Sequence, residues 1–415
     1  MTPDPLTRAT QRLVRRLDEL GRISDEPRKL TRTFLSPAMR RANTLVDWWM
    51  RSAGLRTHVD AVGNLIGRRE GPRPGLKTLL LGSHLDTVRD AGRFDGALGV
   101  LLPLVALADL RRRAVALPFA VEVIGFSEEE GVRFASAYLG SKGYTGQVRA
   151  SDLRLRDAKG VTVREALEKR SREGFSLPKP AHPRSSLLGY LEVHIEQGPV
   201  LEKKDLSVGV VSAIAGQTRG RLTLRGQAGH AGTTPMALRR DALAGASEIV
   251  LLAEELARAS KPLVATVGTL VISPGAPNVI PGEITLSLDV RHPHDANRRA
   301  ALAKILAAAE RVARRRKLAC EWTPTQDNGA VACSPEMTAL LAASVRRVQK
   351  RPAELVSGAG HDAVVMSAIT PVAMLFVRCR DGLSHHPDEF ASPADIEVAL
   401  RVMVDFIERL ARKHT

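Results

Sequence analysis

Five clusters of histidine and acidic residues could do chemistry in this chain. They are His84 with Asp86, Asp95, the run Glu128 to Glu130, Glu192 with His194 and Glu196, and His385 with His386. Each cluster alone has an ordinary structural explanation, such as a hydrogen-bonded core histidine, a helix N-cap or a solvated acidic patch. Imidazole and carboxylate groups together are ligands for Zn²⁺, and also for Mn²⁺, Co²⁺ or Ni²⁺. The five clusters together favour a metal site.

The first three clusters suggest different roles for their side chains. His84 could bind a metal through one ring nitrogen while Asp86 orients the ring. Asp95 could bridge two cations, since a carboxylate has two oxygens to share. The adjacent carboxylates of Glu128 to Glu130 repel one another unless solvent or a cation relieves them, and one of them could remain free as a base.

The last two clusters offer further histidine ligands. Alternation along a strand points Glu192, His194 and Glu196 to one side, which makes a second metal-binding histidine available. Either His385 or His386 could ligate from the polar loop that contains them. Two ions about 3.5 Å apart, bridged by a carboxylate and a water, would generate hydroxide near neutral pH.

Most of these clusters lie at or just after predicted strand ends. Apolar runs predict strands at Thr78–Leu81, Phe119–Phe126, Gly189–Ile195 and Pro371–Val377. Helix-like spacing predicts helices at Leu6–Leu20, Ser36–Ala53, Pro335–Lys350, His361–Ala368 and Pro393–Arg412. This alternation predicts an α/β fold with a mostly parallel sheet, in which ligands gather beyond the carboxyl ends of the strands.

The pattern changes between residues 216 and 328. Strands are predicted at Arg219–Arg225, Leu263–Ile272, Glu283–Arg291 and Leu318–Thr323, with helices at Met236–Ala259 and Asp295–Lys317. The order β-α-β-β-α-β is that of a ferredoxin-like α+β unit. We therefore expect a catalytic domain formed by residues 1–215 and 329–415, with an inserted domain at 216–328.

Composition and charge narrow the class of protein. The chain has 415 residues and a net charge of +16, yet only 4% of its residues are aromatic, which argues against a stacking platform for nucleic acid. The excess charge is better explained by solvated helix faces and attraction for anionic substrates. Cys320, Cys333 and Cys379 are widely separated, as expected in a reducing compartment. No apolar run spans a membrane and Met1–Thr10 has no signal-peptide core, so a cytoplasmic location is expected.

The chain resembles the M20 metallopeptidase-like amidohydrolases, in particular the branch of allantoate amidohydrolases and N-carbamoyl-L-amino-acid hydrolases, the hydantoinase/carbamoylase branch. The likeness runs from before Gly63 to Phe390. The motifs that carry it are GSHLDTV (82–88), FDGALGV (94–100), SEEEGVRF (127–134), HIEQGP (194–199), GHAGTTPM (229–236), NVIPG (278–282), DVRH (289–292), GAGHDA (358–363) and GLSHHPDE (382–389).

The resemblance implies a ligand set for two divalent ions per subunit, Zn²⁺ or Mn²⁺, with Co²⁺ and Ni²⁺ as alternatives. Asp95 would bridge both ions, His84 and His194 would complete one site, and Glu130 and His385 the other. Glu129 would be the general base, and Glu128 would have no part in the mechanism.

The resemblance also implies that the inserted domain is a lid and dimerisation domain of a homodimer. The residues expected to contact substrate are Gln197, Gln217, His230, Asn278, Arg291 and Gly360. Arg291 offers a bidentate fork for a carboxylate, and His230 and Asn278 can donate hydrogen bonds to a developing oxyanion.

The expected activity is hydrolysis of a ureido or carbamoyl C–N bond, a non-peptide bond, in a small anionic substrate. The SHLDTV motif followed by Arg89 to Gly92 resembles allantoate amidohydrolases more than carbamoylases. This resemblance favours allantoate, which would give ureidoglycine, ammonia and carbon dioxide. An N-carbamoyl-L-amino acid or 3-ureidopropionate ranks second and a dipeptide third. A non-catalytic binding protein on the same fold and a basic nucleic-acid binder are the alternatives from other classes.

Overall fold

A computed structural model gives the structure of this chain and describes residues 4–170 and 175–415. Residues 1–3 of the polar N-terminal segment lie outside the described residues. The chain divides into two compact units, one formed by Met1–Ser212 with Cys333–Thr415 and the other by Ala213–Ala332. We call them the catalytic unit and the inserted unit. In the described part of the chain, no helix is both long enough and apolar enough to cross a membrane.

The elements alternate in the first part of the chain. In chain order they are α1 (Pro5–Gly21), α2 (Pro37–Ser52), β1 (Arg56–Val59), β2 (Leu65–Arg69), β3 (Thr78–His84), α3 (Ala97–Arg112), β4 (Ala120–Phe126), α4 (Leu139–Tyr144), α5 (Ala150–Leu153), α6 (Val163–Glu168), β5 (Leu187–Ile195), α7 (Val200–Lys203) and β6 (Val208–Ile214).

The remaining elements belong to the inserted unit and to the return into the catalytic unit. The inserted unit has β7 (Gly216–Arg225), β8 (Gly229–His230), α8 (Ala242–Ala259), β9 (Val264–Thr266), β10 (Leu270–Ser273), β11 (Val279–Ile280), β12 (Glu283–His292), α9 (Asp295–Arg316), β13 (Ala319–Asn328) and β14 (Val331–Ala332). The return has α10 (Pro335–Gln349), β15 (Glu354–Ser357), α11 (Asp362–Met366), β16 (Val372–Val377) and α12 (Pro393–His414).

The main sheet of the catalytic unit has the order β1-β2-β4-β3-β5-β16-β6, with β15 also paired to β6. The central pairs β4–β3, β3–β5 and β5–β16 are parallel, and the outer pairs are antiparallel. Strands β3 and β4 are buried along their whole length, as expected for strands covered on both faces. The predicted α/β fold with a mostly parallel sheet is confirmed.

Three helices that pack around this sheet begin in the same way. Each of α2, α10 and α12 follows a serine and starts with a proline. The serine hydroxyl accepts a hydrogen bond from a backbone N–H of the first turn, and proline suits the first helical position because the N–H it lacks would have no partner there. Leucine, valine and alanine residues of α1, α3, α10 and α12 form one buried core with β3, β4, β5 and β16.

A buried polar network ties the segment before β5 to strand β4. The Glu122 carboxylate accepts hydrogen bonds from Arg68 Nη1 at 2.8 Å and from the Tyr144 hydroxyl at 2.7 Å, and lies 2.9 Å from His182 Nε2. Burial alone would raise the pKa of Glu122, but the interactions with His182, Tyr144 and Arg68 lower this pKa to about 2. The ionised carboxylate is therefore part of the folded state.

The inserted unit has a five-stranded antiparallel sheet of order β10-β12-β7-β13, with β9 also paired to β12. Helices α8 and α9 both pack on it through apolar residues. This strand order agrees with the ferredoxin-like arrangement expected for residues 216–328. Strand β8 pairs with β11 in a separate two-stranded sheet.

Two predicted elements of the inserted unit are wrong in detail. The helix predicted from Met236 begins at Ala242, because the Asp241 carboxylate caps it by accepting hydrogen bonds from the N–H groups of Leu243 and Ala244. The strand predicted at Leu263–Ile272 is divided into β9 and β10. Between them the Ser287 hydroxyl accepts the N–H groups of residues 268 and 269, which interrupts the ladder.

Candidate metal centre

The predicted metal ligands come from neighbouring parallel strands and the loops after them. His84 is the last residue of β3, and His194 lies near the end of β5. Glu129 and Glu130 follow β4, and His385 lies in the loop after β16. Because the carboxyl ends of parallel strands meet at one edge of the sheet, these side chains converge there.

Two groups of potential ligand atoms share Asp95. One contains His84, Asp95 and His194, and the other contains Asp95, Glu130 and His385, with the ligand atoms of each group within 4.8 Å of one another. Asp95 Oδ1 lies 3.0 Å from His194 Nε2 and 3.5 Å from His84 Nε2. Asp95 Oδ2 lies 3.3 Å from His385 Nε2. One carboxylate thus lies between two separate sets of ligand atoms.

Backbone carbonyls orient the two buried imidazoles. His84 Nδ1 lies 3.0 Å from the carbonyl oxygen of Asp86, and His194 Nδ1 lies 2.9 Å from that of Ile195. A carbonyl can only accept, so each Nδ1 carries a proton, and each Nε2 faces Asp95 and is the ring nitrogen that could bind a metal. Gly96 allows this approach, since its φ is +65° and a Cβ there would lie 2.5 Å from the His84 ring.

The Asp86 side chain contacts both His84 and the acidic run. Its carboxylate lies 3.4 Å from His84 Nδ1, which is longer than the bond to the carbonyl. Its two oxygens accept the N–H groups of Glu129 at 3.0 Å and Glu130 at 3.2 Å. Asp86 therefore fixes the backbone of the acidic run and contacts His84 Nδ1 through both its carbonyl and its carboxylate.

The three consecutive carboxylates have three different environments. Glu128 turns back and accepts the N–H of Gly131 at 2.7 Å. Glu130 lies 3.5 Å from His385 Nε2. The buried Glu129 carboxylate makes no hydrogen bond with any described residue, and its ligand atoms group with those of His84 and Glu130. Of the three, Glu129 is the one in which neither carboxylate oxygen has a hydrogen bond or an ion-pair partner among the described residues.

The charge balance of this site calls for cations. Asp95, Glu129 and Glu130 are largely buried, and the ion-pair partners close to Asp95 and Glu130 are histidines. Burial and the charge of Asp95 raise the pKa of Glu130 to about 7, and burial raises that of Glu129 well above its ordinary value. A hydrogen bond with Asp95 raises the pKa of His385 to about 9. Buried carboxylates in excess, with imidazole nitrogens facing them, fit a pair of divalent ions.

Several residues of this site were not singled out from the sequence. Ser384 Oγ lies 3.1 Å from Asp95 Oδ2, and Glu389 accepts the backbone N–H of Asp95 at 3.0 Å. Asp362 is fully buried beside the acidic groups, and Tyr138 donates its backbone N–H to the carbonyl of Glu129. Ser384 and Glu389 are within the GLSHHPDE motif, which was the signal that could have identified them.

Two predicted substrate contacts lie in the catalytic unit. Gln197 Nε2 lies 3.0 Å from Asp95 Oδ2 and 3.4 Å from His385 Nε2, so it borders the metal ligands. Gly360 lies against the Tyr138 hydroxyl, which a Cβ at residue 360 would approach to 1.8 Å. Both residues are therefore near the acidic cluster.

The other four predicted contacts lie in the inserted unit, in two groups. Gln217 and Arg291 are register partners on β7 and β12, and both donate to Asp289. His230 pairs with the residue after Asn278 across β8 and β11. The inserted unit thus holds one cationic group and one imidazole–amide group.

Comparison with known proteins gives consistent matches over nearly the whole chain. Residues 80–409 match the model of peptidase family M20/M25/M40. The chain is 41% identical over 426 residues to an allantoate deiminase of Arabidopsis thaliana, covering 95% of this chain and 81% of that protein. It is 38% identical to an N-carbamoyl-L-amino acid amidohydrolase of Geobacillus stearothermophilus, covering 97% and 98% of the two chains. The crystal structure of an amidase of the hydantoinase/carbamoylase family from Burkholderia multivorans aligns with a TM-score of 0.91 at 34% identity, covering 97% of this chain and 98% of that chain.

Proposed function

The chain belongs to peptidase family M20/M25/M40, and on this basis we propose that it is a metal-dependent amidohydrolase that cleaves a ureido C–N bond of allantoate. The observation that carries the proposal is the position of Asp95, one buried carboxylate shared by two groups of metal-ligating side chains. Relatives along almost the full length are named for hydrolysis of such C–N bonds. The substrate is therefore a small ureido compound and not a polypeptide.

We propose that two divalent ions, Zn²⁺ or Mn²⁺, with Co²⁺ and Ni²⁺ as alternatives, are held at this centre. His84 and His194 would hold one ion, Glu130 and His385 would hold the other, and Asp95 would be a ligand of both. Ions bound here supply Lewis acidity, which polarises the ureido carbonyl and lowers the pKa of water.

The Glu129 carboxylate is proposed as the general base. It takes a proton from the attacking water and later returns that proton to the departing nitrogen, so it ends the cycle unchanged. Its lack of a hydrogen-bond partner among the described residues supports this role, since no contact must break before it accepts a proton. The carboxylate of Asp86, which accepts the Glu129 N–H, keeps the backbone fixed during the transfer.

Six residues are proposed to bind the substrate. They are Gln197 and Gly360 of the catalytic unit with Gln217, His230, Asn278 and Arg291 of the inserted unit. The guanidinium of Arg291, which already donates to Asp289 through Nε and Nη2, is proposed to contact the substrate carboxylate as well, and the donors at residues 230 and 278 stabilise the oxyanion. For the four residues of the inserted unit, the support is the family resemblance and their side-chain chemistry.

Allantoate ranks first among the candidate substrates. The support is the Arg89 to Gly92 segment after the SHLDTV motif, together with the relatives named allantoate deiminase, at 40–41% identity. N-carbamoyl-L-amino acids and 3-ureidopropionate rank second, because the relatives named N-carbamoyl-L-amino-acid amidohydrolases are 36–39% identical.

The test is a substrate panel on purified protein loaded with one metal at a time. Ammonia release is measured from allantoate, several N-carbamoyl-L-amino acids and 3-ureidopropionate, with Zn²⁺, Mn²⁺, Co²⁺ or Ni²⁺. The proposal predicts the highest kcat/KM for allantoate. A higher value for an N-carbamoyl amino acid would reassign the substrate, and no ammonia from any ureido compound would reject the function.

We also propose that the chain is a cytoplasmic homodimer that associates through the inserted unit, the lid and dimerisation domain of the family. Strand β10 is at one end of the five-stranded sheet, and its side chains Leu270, Val271 and Ile272 are all exposed. An exposed apolar edge strand is a surface that proteins usually cover. A second copy of the chain would cover it.

A further inference from the structure

Glu389 connects two loops that carry proposed metal ligands. Its Oε1 accepts the backbone N–H of Phe94 at 2.9 Å and that of Asp95 at 3.0 Å, and its Oε2 accepts the Ser384 hydroxyl at 3.0 Å. The loop of Phe94 and Asp95 precedes α3, whereas Ser384 and His385 belong to the loop after β16. A single buried carboxylate thus fixes segments that are almost 300 residues apart in the sequence.

Ser384 extends this connection to the bridging carboxylate itself. Its hydroxyl lies 3.1 Å from Asp95 Oδ2 as well as 3.0 Å from Glu389 Oε2, and Gln197 Nε2 lies 3.1 Å from Ser384 Oγ. Because a serine hydroxyl has one hydrogen, it can donate to only one of the two carboxylates at a time. The Asp95 side chain and the N–H groups of Phe94 and Asp95 are therefore bound by two adjoining side chains, those of Ser384 and Glu389.

Gly92 leaves room for the Glu389 side chain because it has no side chain of its own. A Cβ on Gly92 would lie 2.3 Å from Glu389 Cβ and 2.5 Å from both Cδ and Oε1. Non-bonded carbon and oxygen atoms of folded proteins do not approach this closely, so any side chain at residue 92 would displace the Glu389 carboxylate. The glycine is thus a second, independent requirement for the same contact.

We propose that Glu389 is a positioning residue that sets the geometry of the metal centre by holding the Asp95 loop and the His385 loop together through the N–H groups of Phe94 and Asp95 and the Ser384 hydroxyl. This inference rests on the proposed metal centre. Glu389 itself is not a ligand, since its oxygens are occupied by these donors. Outer partners that orient metal ligands typically change metal affinity 10–100-fold when they are removed.

The experiment measures the affinity of the full-length protein for Zn²⁺ by competition with a chromogenic chelator. Glu389→Ala is expected to raise the Zn²⁺ dissociation constant about 10–100-fold. Gly92→Ala should raise it comparably while keeping the carboxylate in the chain. Glu389→Gln should restore the affinity to within about threefold of the unmodified protein, because its amide oxygen can still accept both backbone N–H groups.

A matched control separates positioning from general stability. Asp157 also accepts two backbone N–H groups with one oxygen, those of Lys159 at 2.9 Å and Val161 at 3.0 Å, but none of its described contacts is a proposed ligand. Asp157→Ala should lower the melting temperature and leave Zn²⁺ affinity unchanged. Unchanged affinity in both Glu389→Ala and Gly92→Ala would overturn the inference. If the unmodified protein bound none of Zn²⁺, Mn²⁺, Co²⁺ or Ni²⁺, the proposed metal centre would fall and this inference with it.

Discussion

Replacing Glu129 by glutamine tests the proposed chemistry most directly. Glutamine has the same shape as glutamate but cannot accept a proton at neutral pH. In the part of the chain that the structure describes, the Glu129 side chain has no hydrogen bond, so the substitution breaks no contact. Its N–H still binds Asp86, and its carbonyl still accepts the N–H of Tyr138. The expected loss is therefore one of chemistry and not of folding.

The size of the loss follows from the role of the base. A positioned general base typically contributes about 10²–10⁴-fold to the rate. At about 1.36 kcal/mol for each factor of ten, the barrier should rise by about 3–5 kcal/mol. We expect kcat to fall at least about 100-fold, with metal content at saturating Zn²⁺ unchanged.

The assay compares Glu129→Gln with Glu128→Gln. Glu128 is the adjacent buried carboxylate, its Oε1 accepts the Gly131 N–H, and its Oε2 has no partner among the described residues. The Glu128→Gln amide can keep the first bond, so turnover should stay within a few-fold of normal. Ammonia release and metal content by mass spectrometry are measured on the same samples. Near-normal turnover in Glu129→Gln would refute the role as base, and loss of metal in this variant would make Glu129 a ligand instead.

Three further predictions concern stability, substrate binding and assembly. A folded-state pKa of about 2 for Glu122 lies below the ordinary value of 4.5, so its stabilising effect is present above pH 4.5 and is lost as the pH falls towards 2. The test compares the unfolding free energy of the unmodified protein with that of Glu122→Gln, both measured with urea. The difference should be about 3 kcal/mol at pH 7 and about 1 kcal/mol at pH 3. A difference that did not change with pH would contradict this role of Glu122. Arg291→Ala should raise KM for the carboxylate substrate about tenfold or more, whereas Arg219→Ala, which removes a donor to the same Asp289 carboxylate, should leave KM nearly unchanged. Equal KM values in these two variants would argue against a substrate contact. Val271→Lys should make the protein monomeric, as measured by light scattering. The control Val59→Lys, on the edge strand β1, should leave the protein dimeric. If both variants remained dimers, the proposed interface would be rejected.

The family, the fold class and the class of enzyme were all predictable from the sequence. Long apolar runs identified β3, β4, β5 and β16, and these four strands alone determine where the clusters meet. The parallel pairing of the strands then follows from their alternation with helices. Knowing only that His84 ends one strand and that His194 lies near the end of another was enough to predict that they converge.

The parts of the fold that were missed have weaker local signals. Strands β1 and β2 form an antiparallel hairpin in which β1 is the edge strand. Strand β1 is mostly exposed and only the first three residues of β2 are buried, so neither sequence contains a long apolar run. The division of β9 from β10 depends on the Ser287 hydroxyl, which belongs to a different strand. The late start of α8 depends on which of several polar residues caps the helix. In each case the deciding interaction is not evident from the local pattern of apolar residues.

In the candidate site, the identity of the side chains was predictable from the sequence, whereas the backbone contacts that orient them were not. Residue types indicated which groups could bind metal, but main-chain atoms orient them. Carbonyls at residues 86 and 195 fix the rings of His84 and His194, and carboxylates of Asp86 and Glu389 fix the backbone of the acidic run and of the Asp95 loop. Since these partners are not ligands, a chain could keep every ligand of the motif and still lose metal affinity by changing one of them. A complete set of ligands is therefore necessary for the proposed activity. It is sufficient only if the contacts of Asp86 and Glu389 also hold the ligand-bearing loops in place.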